Sequence, residues 1–153
     1  MEIPKLLIRS HIIGPEEEMG HTLDMYNKIA GKIKSNPADI EARLSLAELF
    51  MQEARVSGEH GYYYPAALKI IDGVNEDHPK EALQYRALLD KSSVLMSLHQ
   101  FANAKIAGEQ ALALNAHSAD VYGILVVSFQ TADDRKKARA ILEKKTEYSM
   151  HIL

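Results

Sequence analysis

Cysteine and tryptophan are both absent from the 153 residues. Without cysteine there is no disulfide, no thiolate metal site and no thiol nucleophile. That absence leaves the compartment open, because exported bacterial proteins often lack cysteine too. No apolar run approaches the 18 or so residues that a bilayer crossing needs, so no membrane span is expected. A basic excess is also missing. Lys and Arg number 18 against 21 Asp and Glu, a formal charge of −3, which argues against a nucleic-acid partner. No glycine-rich phosphate loop, Gly-x-Ser-x-Gly elbow or HExxH string occurs. The histidines, His11, His21, His60, His78, His99, His117 and His151, are scattered, and none pairs with another one helical turn away beside an acid. They read as surface or break residues. No catalytic constellation is expected, and no cofactor or metal.

What remains is an ordinary soluble composition, 46 % apolar and 25 % charged, in a chain long enough for one cored domain. The opening Met1–Arg9 is not a signal peptide, since Arg9 and His11 interrupt its short apolar stretch. The expectation is a soluble protein, cytoplasmic, or exported to the periplasm where a leader has been removed. Residues 3–13 are rich in isoleucine and allow a short strand, an extended arm or the end of an upstream element. Gly14-Pro15 closes them. The three acids Glu16, Glu17 and Glu18 then suit a helix N-terminus, where the dipole is positive.

From there the apolar residues step by three and four. Leu23, Tyr26, Ile29, Ala30 and Ile33 share one helix face at about 16–35, and Ser35-Asn36-Pro37 ends it. Ala42, Leu46, Ala47, Leu49, Phe50 and Ala54 mark a helix at about 38–55. After the break at Gly58–Gly61, a helix at about 64–76 turns Ala67, Leu68, Ile71 and Val74 inward, with Pro65 in its first turn. Asp77-His78-Pro79 separates it from helices at about 80–98 and 101–114. Further helices at about 119–131 and 135–149 finish the chain. Links this short favour antiparallel helical hairpins.

The hairpins resemble one another. Moved back by 34 residues, Tyr122 falls on Leu88, Val126 on Ser92, Phe129 on Leu95 and Ala138 on Ala104. Leu125 on Lys91 is a mismatch. The first hairpin fits in two pieces: Leu46, Ala47 and Phe50, then Tyr64, Ala67, Ile71, Val74 and Pro79, with about eight extra residues around Arg55–Tyr63. In this spacing the chain resembles the tetratricopeptide repeat family over about residues 20–149. Ala67, Ala104 and Ala138 match the family's small residue at the helix crossing. Tyr64 and Phe101 match the aromatic opening the second helix, and Pro79 matches the closing proline, with Pro37 ending a partial repeat. The usual Trp and Leu-Gly pair are missing. The long first hairpin with Tyr62-Tyr63-Tyr64 is similar to a variant common in bacterial members.

The resemblance implies an all-α, right-handed superhelical solenoid of about three hairpins plus a preceding helix. An N-terminal arm would occupy residues 1–15. The repeat domain would span 16–153, with repeats at about 38–79, 80–117 and 118–150. It also implies packing by Ala47, Phe50, Tyr64, Ala67, Leu95, Phe101, Ala104, Phe129 and Ala138. The family's concave wall, carried over by register, gives three rows. These are Glu41, Leu44, Glu48, Met51 and Gln52; then Arg86, Leu89, Ser93, Met96 and Ser97; then Asp120, Gly123, Val127, Gln130 and Thr131. Methionine suits a surface that adapts to a partner. The Lys and Asn set of the family's carboxylate clamp does not occupy these places, so capture of a C-terminal carboxylate is not expected.

The function implied is a non-catalytic scaffold for a protein or peptide partner. The rivals are self-association through the terminal helices, where Tyr148–Leu153 form an apolar end, and an accessory module of an enzyme. Glu59-His60-Gly61-Tyr62-Tyr63-Tyr64 reads in two ways. It is a loop with aromatic contacts and a titratable histidine, or Tyr63 or Tyr64 plugs the hairpin while Gly58 and Gly61 permit the turn. The basic run Arg135, Lys136, Lys137, Arg139, Lys144 and Lys145, interleaved with acids, reads as a solvated outer face or a contact for an acidic partner.

Overall fold

A computed structural model describes residues 2–9 and 16–115, together with Ala140 and Glu143. The described residues form five α-helices and no strand: α1 (Glu16–Ser35), α2 (Ile40–Ser57), α3 (His60–Glu76), α4 (Glu81–Ser97) and α5 (Phe101–Leu114). The all-helical class expected from the apolar steps is therefore present. The helices expected at 119–131 and 135–149 lie outside the described residues. The chain divides into two compact units at Pro79, where the first full repeat was expected to close.

In the first unit α2 packs against both α1 and α3. Asp39 caps α2, its carboxylate accepting the Ala42 N–H at 3.0 Å. Gly58 ends the helix in the left-handed region, φ 76°, and its N–H returns to the Ala54 carbonyl. That conformation favours glycine because a side chain crowds the following carbonyl. Two residues later α3 begins. It starts at His60, a turn earlier than the sequence suggested, so Gly61 lies within the helix and Pro65 stands at its sixth position. The extra residues around Arg55–Tyr63 thus lengthen α2 and α3 and form no long loop. Burial explains the early start: Tyr63 and Tyr64 are both buried in the added turn, which offsets the poor helix propensity of Gly61 and Pro65.

The core of this unit joins Ile33 of α1, Leu44, Leu46, Ala47, Phe50 and Ala54 of α2, and Tyr63, Ala67, Ile71 and Val74 of α3. Arg43 is also buried. Its guanidinium packs over Gly73, where an added Cβ would stand 3.0 Å from Nη2, and it donates to Asp77 at the end of α3. A cation there also opposes the negative end of the α3 dipole.

In the second unit α4 and α5 form the hairpin. Most of its buried residues are small: Ala87 and Ser92 on α4, and Ala104, Ala107, Gly108 and Ala111 on α5. The Ser92 hydroxyl donates to the Ala104 carbonyl at 2.7 Å, which satisfies it inside the core. Larger buried side chains are Leu88, Val94 and Leu95. His99 follows the end of α4 with φ 58°. The Gln100 N–H reaches back to the Leu95 carbonyl at 2.9 Å, a Schellman closure built on histidine instead of glycine.

Candidate functional site

The most developed polar arrangement among the described residues lies in the first unit, and the rows expected from sequence do not contain it. Four aromatic rings follow one another across the three helices. Tyr26 of α1 stacks on Phe50 of α2 with centroids 6.3 Å apart. Phe50 lies 5.2 Å from Tyr63 of α3, and Tyr63 meets Tyr62 edge-on at 5.1 Å. Such pairs add about 0.5–1.5 kcal/mol beyond area burial. Each tyrosine then turns its hydroxyl to the backbone of residues 2–9, which are neither helix nor strand. Tyr26 Oη donates to the Pro4 carbonyl at 2.7 Å and Tyr62 Oη to the Lys5 carbonyl at 2.6 Å. Tyr63 Oη accepts the Leu7 N–H at 2.9 Å. Residues 2–9 of the isoleucine-rich start form no strand and lie against the first unit through these bonds; residues 10–13 lie outside the described residues.

The arm is anchored beyond these bonds by Arg9. Its Nη2 lies 2.6 Å from Glu53 Oε1 and its Nε 3.2 Å from Oε2, a side-on, two-pronged pair. The Arg9 side chain is 5 % exposed and the Glu53 side chain 2 %, so the pair is shielded from water. Glu18 of α1 stands at the rim, 3.9 Å from Nη2. The hydrogen bonds that Arg9 donates to Glu53 raise its pKa further, against the opposing effect of burial, so the guanidinium is always charged. Burial raises the Tyr63 and Tyr26 pKa values, which keeps both phenols neutral and able to donate.

Sequence reasoning missed this site, although it held the parts. Glu53 sits three residues after Phe50 on the apolar face of α2, an acid where a hydrophobe is expected. Of the two readings of Glu59–Tyr64, a loop with aromatic contacts or Tyr63 or Tyr64 plugging the hairpin, the second needs a buried tyrosine, and both Tyr63 and Tyr64 are buried. Gly61 is not part of the turn.

The expected rows fall as follows. In the first, Leu44 is fully buried and Met51 is buried, Glu48 is half-buried, and Glu41 and Gln52 are exposed. In the second, Arg86, Leu89, Ser93 and Met96 are half-buried and Ser97 is exposed. Leu89 also packs against the Leu88 and Ala111 cluster. The third row, from Asp120 to Thr131 with Val127 and Gln130, lies outside the described residues, as do Phe129, Ala138 and the basic run near the C-terminus. Among the packing residues, Ala47, Phe50, Tyr64, Ala67, Leu95 and Ala104 are buried and Phe101 is half-buried.

His21, His60, His78 and His99 are exposed, the last three at breaks or helix ends. Among the described residues no three His, Asp or Glu side chains converge as metal ligands, and no helix is long and apolar enough to cross a membrane. No family model, curated protein or solved structure matches the chain.

Proposed function

We propose that the chain is a non-catalytic scaffold of the tetratricopeptide type, a right-handed superhelix of about three hairpins and a preceding helix. On this reading it holds a protein or peptide partner on the wall formed by the first helix of each hairpin. The reading draws support from two helical hairpins with buried alanines at 67 and 104, the positions assigned to the family's crossing residue.

One observation carries the choice of surface. Arg86, Leu89, Ser93 and Met96 lie along α4 at three- and four-residue steps, and all four remain partly open to solvent. Two apolar side chains among polar ones on one stripe suit a peptide's mixed face. The test is capture from the source cell with wild type and with Leu89→Glu/Met96→Glu. A partner retained by wild type and lost by the variant is expected. Ser93→Arg, which leaves the Leu89 contact with the hairpin core intact, should weaken capture too. Unchanged capture by both folded variants would remove this wall from consideration.

Self-association is the second reading. It draws on Leu23 and Met25 of α1 and Ile106 of α5, which are exposed large hydrophobes. A strictly monomeric mass at high concentration would eliminate it.

A further inference from the structure

The arm's attachment differs in kind from the packing of a helix. Two of the three phenols bind main-chain carbonyls and the third binds a main-chain N–H. Such bonds engage main-chain groups that no helix or strand is using and are indifferent to side-chain identity. The one side chain demanded by charge is Arg9, because Glu53 is buried and needs a cation. Ile8, between Leu7 and Arg9, is 90 % exposed and contributes little. Leu6 and Leu7 are half-buried. The cradle therefore specifies a short chemical description: extended chain, modest apolar content, one arginine.

The hold on the arm rests on few groups. A phenol–backbone hydrogen bond contributes about 0.5–1.5 kcal/mol net. Ordering backbone costs about 1–2 kcal/mol per residue. Three such bonds cannot offset the ordering of residues 4–9, so Arg9–Glu53 and the half-buried leucines supply the balance. A segment held this way is replaceable by another of the same description.

We propose that Tyr26, Tyr62, Tyr63 and Glu53 form a recognition site for an extended, arginine-bearing segment of another protein, with residues 4–9 as its resident competitor. The arm is tethered to α1 through Ser10–Pro15 in the sequence, and a short tether presents its ligand at an effective concentration of roughly millimolar. An external segment occupies the cradle only when it exceeds that threshold, so the arm sets a minimum affinity for the partner. This site is independent of the α4 stripe, and either can fail without the other.

The probe is a labelled synthetic peptide of residues 2–9, titrated into the full chain. Arg9→Ala loosens the arm and leaves every cradle residue in place. That variant should bind the peptide at least about tenfold more tightly than wild type, because the competitor is weakened. A peptide with alanine in place of its arginine should bind the same variant at least about tenfold more weakly. Adding Glu53→Gln to the chain should erase that difference between the two peptides.

Should Arg9→Ala unfold, the arginine peptide should restore its helical signal and the alanine peptide should not. Leu7→Pro serves as the second variant, since it removes the N–H that Tyr63 accepts and keeps the ion pair. It too should bind the peptide more tightly than wild type. Equal binding by wild type and Leu7→Pro, or equal binding of the two peptides by Arg9→Ala, overturns the proposal. A concentration-dependent wild-type dimer that Glu53→Gln abolishes overturns the choice of an external segment and assigns the cradle to a second copy's arm.

Discussion

The hairpin of α2 and α3 and the hairpin of α4 and α5 follow one plan and fill it with different materials. The first is large-residue packing: Tyr63, Phe50, Leu44, Leu46 and Ile71 are fully buried there, with an aromatic row, a buried ion pair and the arm. In the second, Val94 is the one comparably large side chain that is fully buried among the described residues, and six of the nine buried residues of α4 and α5 are alanine, glycine or serine. Small residues bring helix backbones together and gain their stability from close approach. Large ones gain it from area removed from water. The two hairpins should therefore fail under different substitutions.

The largest effect belongs to the first hairpin. Glu53→Ala removes the buried carboxylate that pairs with the Arg9 guanidinium in a shielded site. Removing one member of a buried pair typically costs about 3–5 kcal/mol. Release of the arm into water would relieve part of this, so a value near the lower end is expected from urea denaturation. The double variant Arg9→Met/Glu53→Met should recover most of the loss, because apolar residues carry no desolvation cost there. A double variant as unstable as Glu53→Ala would mean that the pair is not the source of the effect.

Next comes the second hairpin. Ala104→Leu inserts a branched side chain where Ser92 Oγ already lies 2.7 Å from the Ala104 carbonyl. Overpacking of this kind costs about 1–3 kcal/mol. An unchanged denaturation midpoint would contradict the close crossing there and the repeat register that assigns Ala104 to it.

The contrast also explains what was legible in the sequence. Helix positions follow from apolar residues at three- and four-residue steps, and α1, α2, α4 and α5 stand within two residues of where those steps put them. The start of α3 was not legible. Gly61 is a local signal for a break and Pro65 for a helix's first turn, and both were outweighed by the burial of Tyr63 and Tyr64, a tertiary effect without a period. The arm's contacts were hidden for a similar reason. Their hydrogen bonds join residues 22 to 57 positions apart, through hydroxyls meeting backbone and one ion pair, and none of these leaves a repeating trace. Glu53 was the available clue, an acid inside an apolar stripe.

A smaller effect compares how the first helix of each hairpin ends. Both α2 and α4 are followed by a residue in the left-handed region, Gly58 at φ 76° and His99 at φ 58°. That region costs a residue with a Cβ about 1–2 kcal/mol, partly offset by the entropy glycine loses on folding. His99→Gly should therefore stabilise the chain by about 0.5–1 kcal/mol, and Gly58→Ala should destabilise it by about 1 kcal/mol. Nothing within 4 Å would obstruct the Cβ at Gly58, so the second change tests backbone conformation alone. Opposite signs in thermal melts are the expected result. Equal signs would mean that one of the two turns relaxes out of the left-handed region.

The last effect is absent near neutrality and appears only in alkali. Tyr26 and Tyr63 have pKa values raised above 10.0 in the folded chain, chiefly by burial. A raised value means that the folded state favours the protonated phenol. The associated stability is complete below the unfolded value of about 10 and is lost as pH rises through the folded values. Tyr26 must be protonated to donate to Pro4, so its ionisation also weakens the arm. Between pH 7 and 9 the denaturation midpoint should show no contribution from these phenols. Above pH 10 it should fall more steeply in wild type than in Tyr26→Phe/Tyr63→Phe, which has no such protons to lose. The phenolate absorbance of these two, read as the difference between wild type and Tyr26→Phe/Tyr63→Phe, should rise only above pH 10. Parallel alkaline curves for the two proteins would detach the arm's stability from the protonation of its clamps, and would leave Arg9–Glu53 as the first hairpin's main distinction from the second.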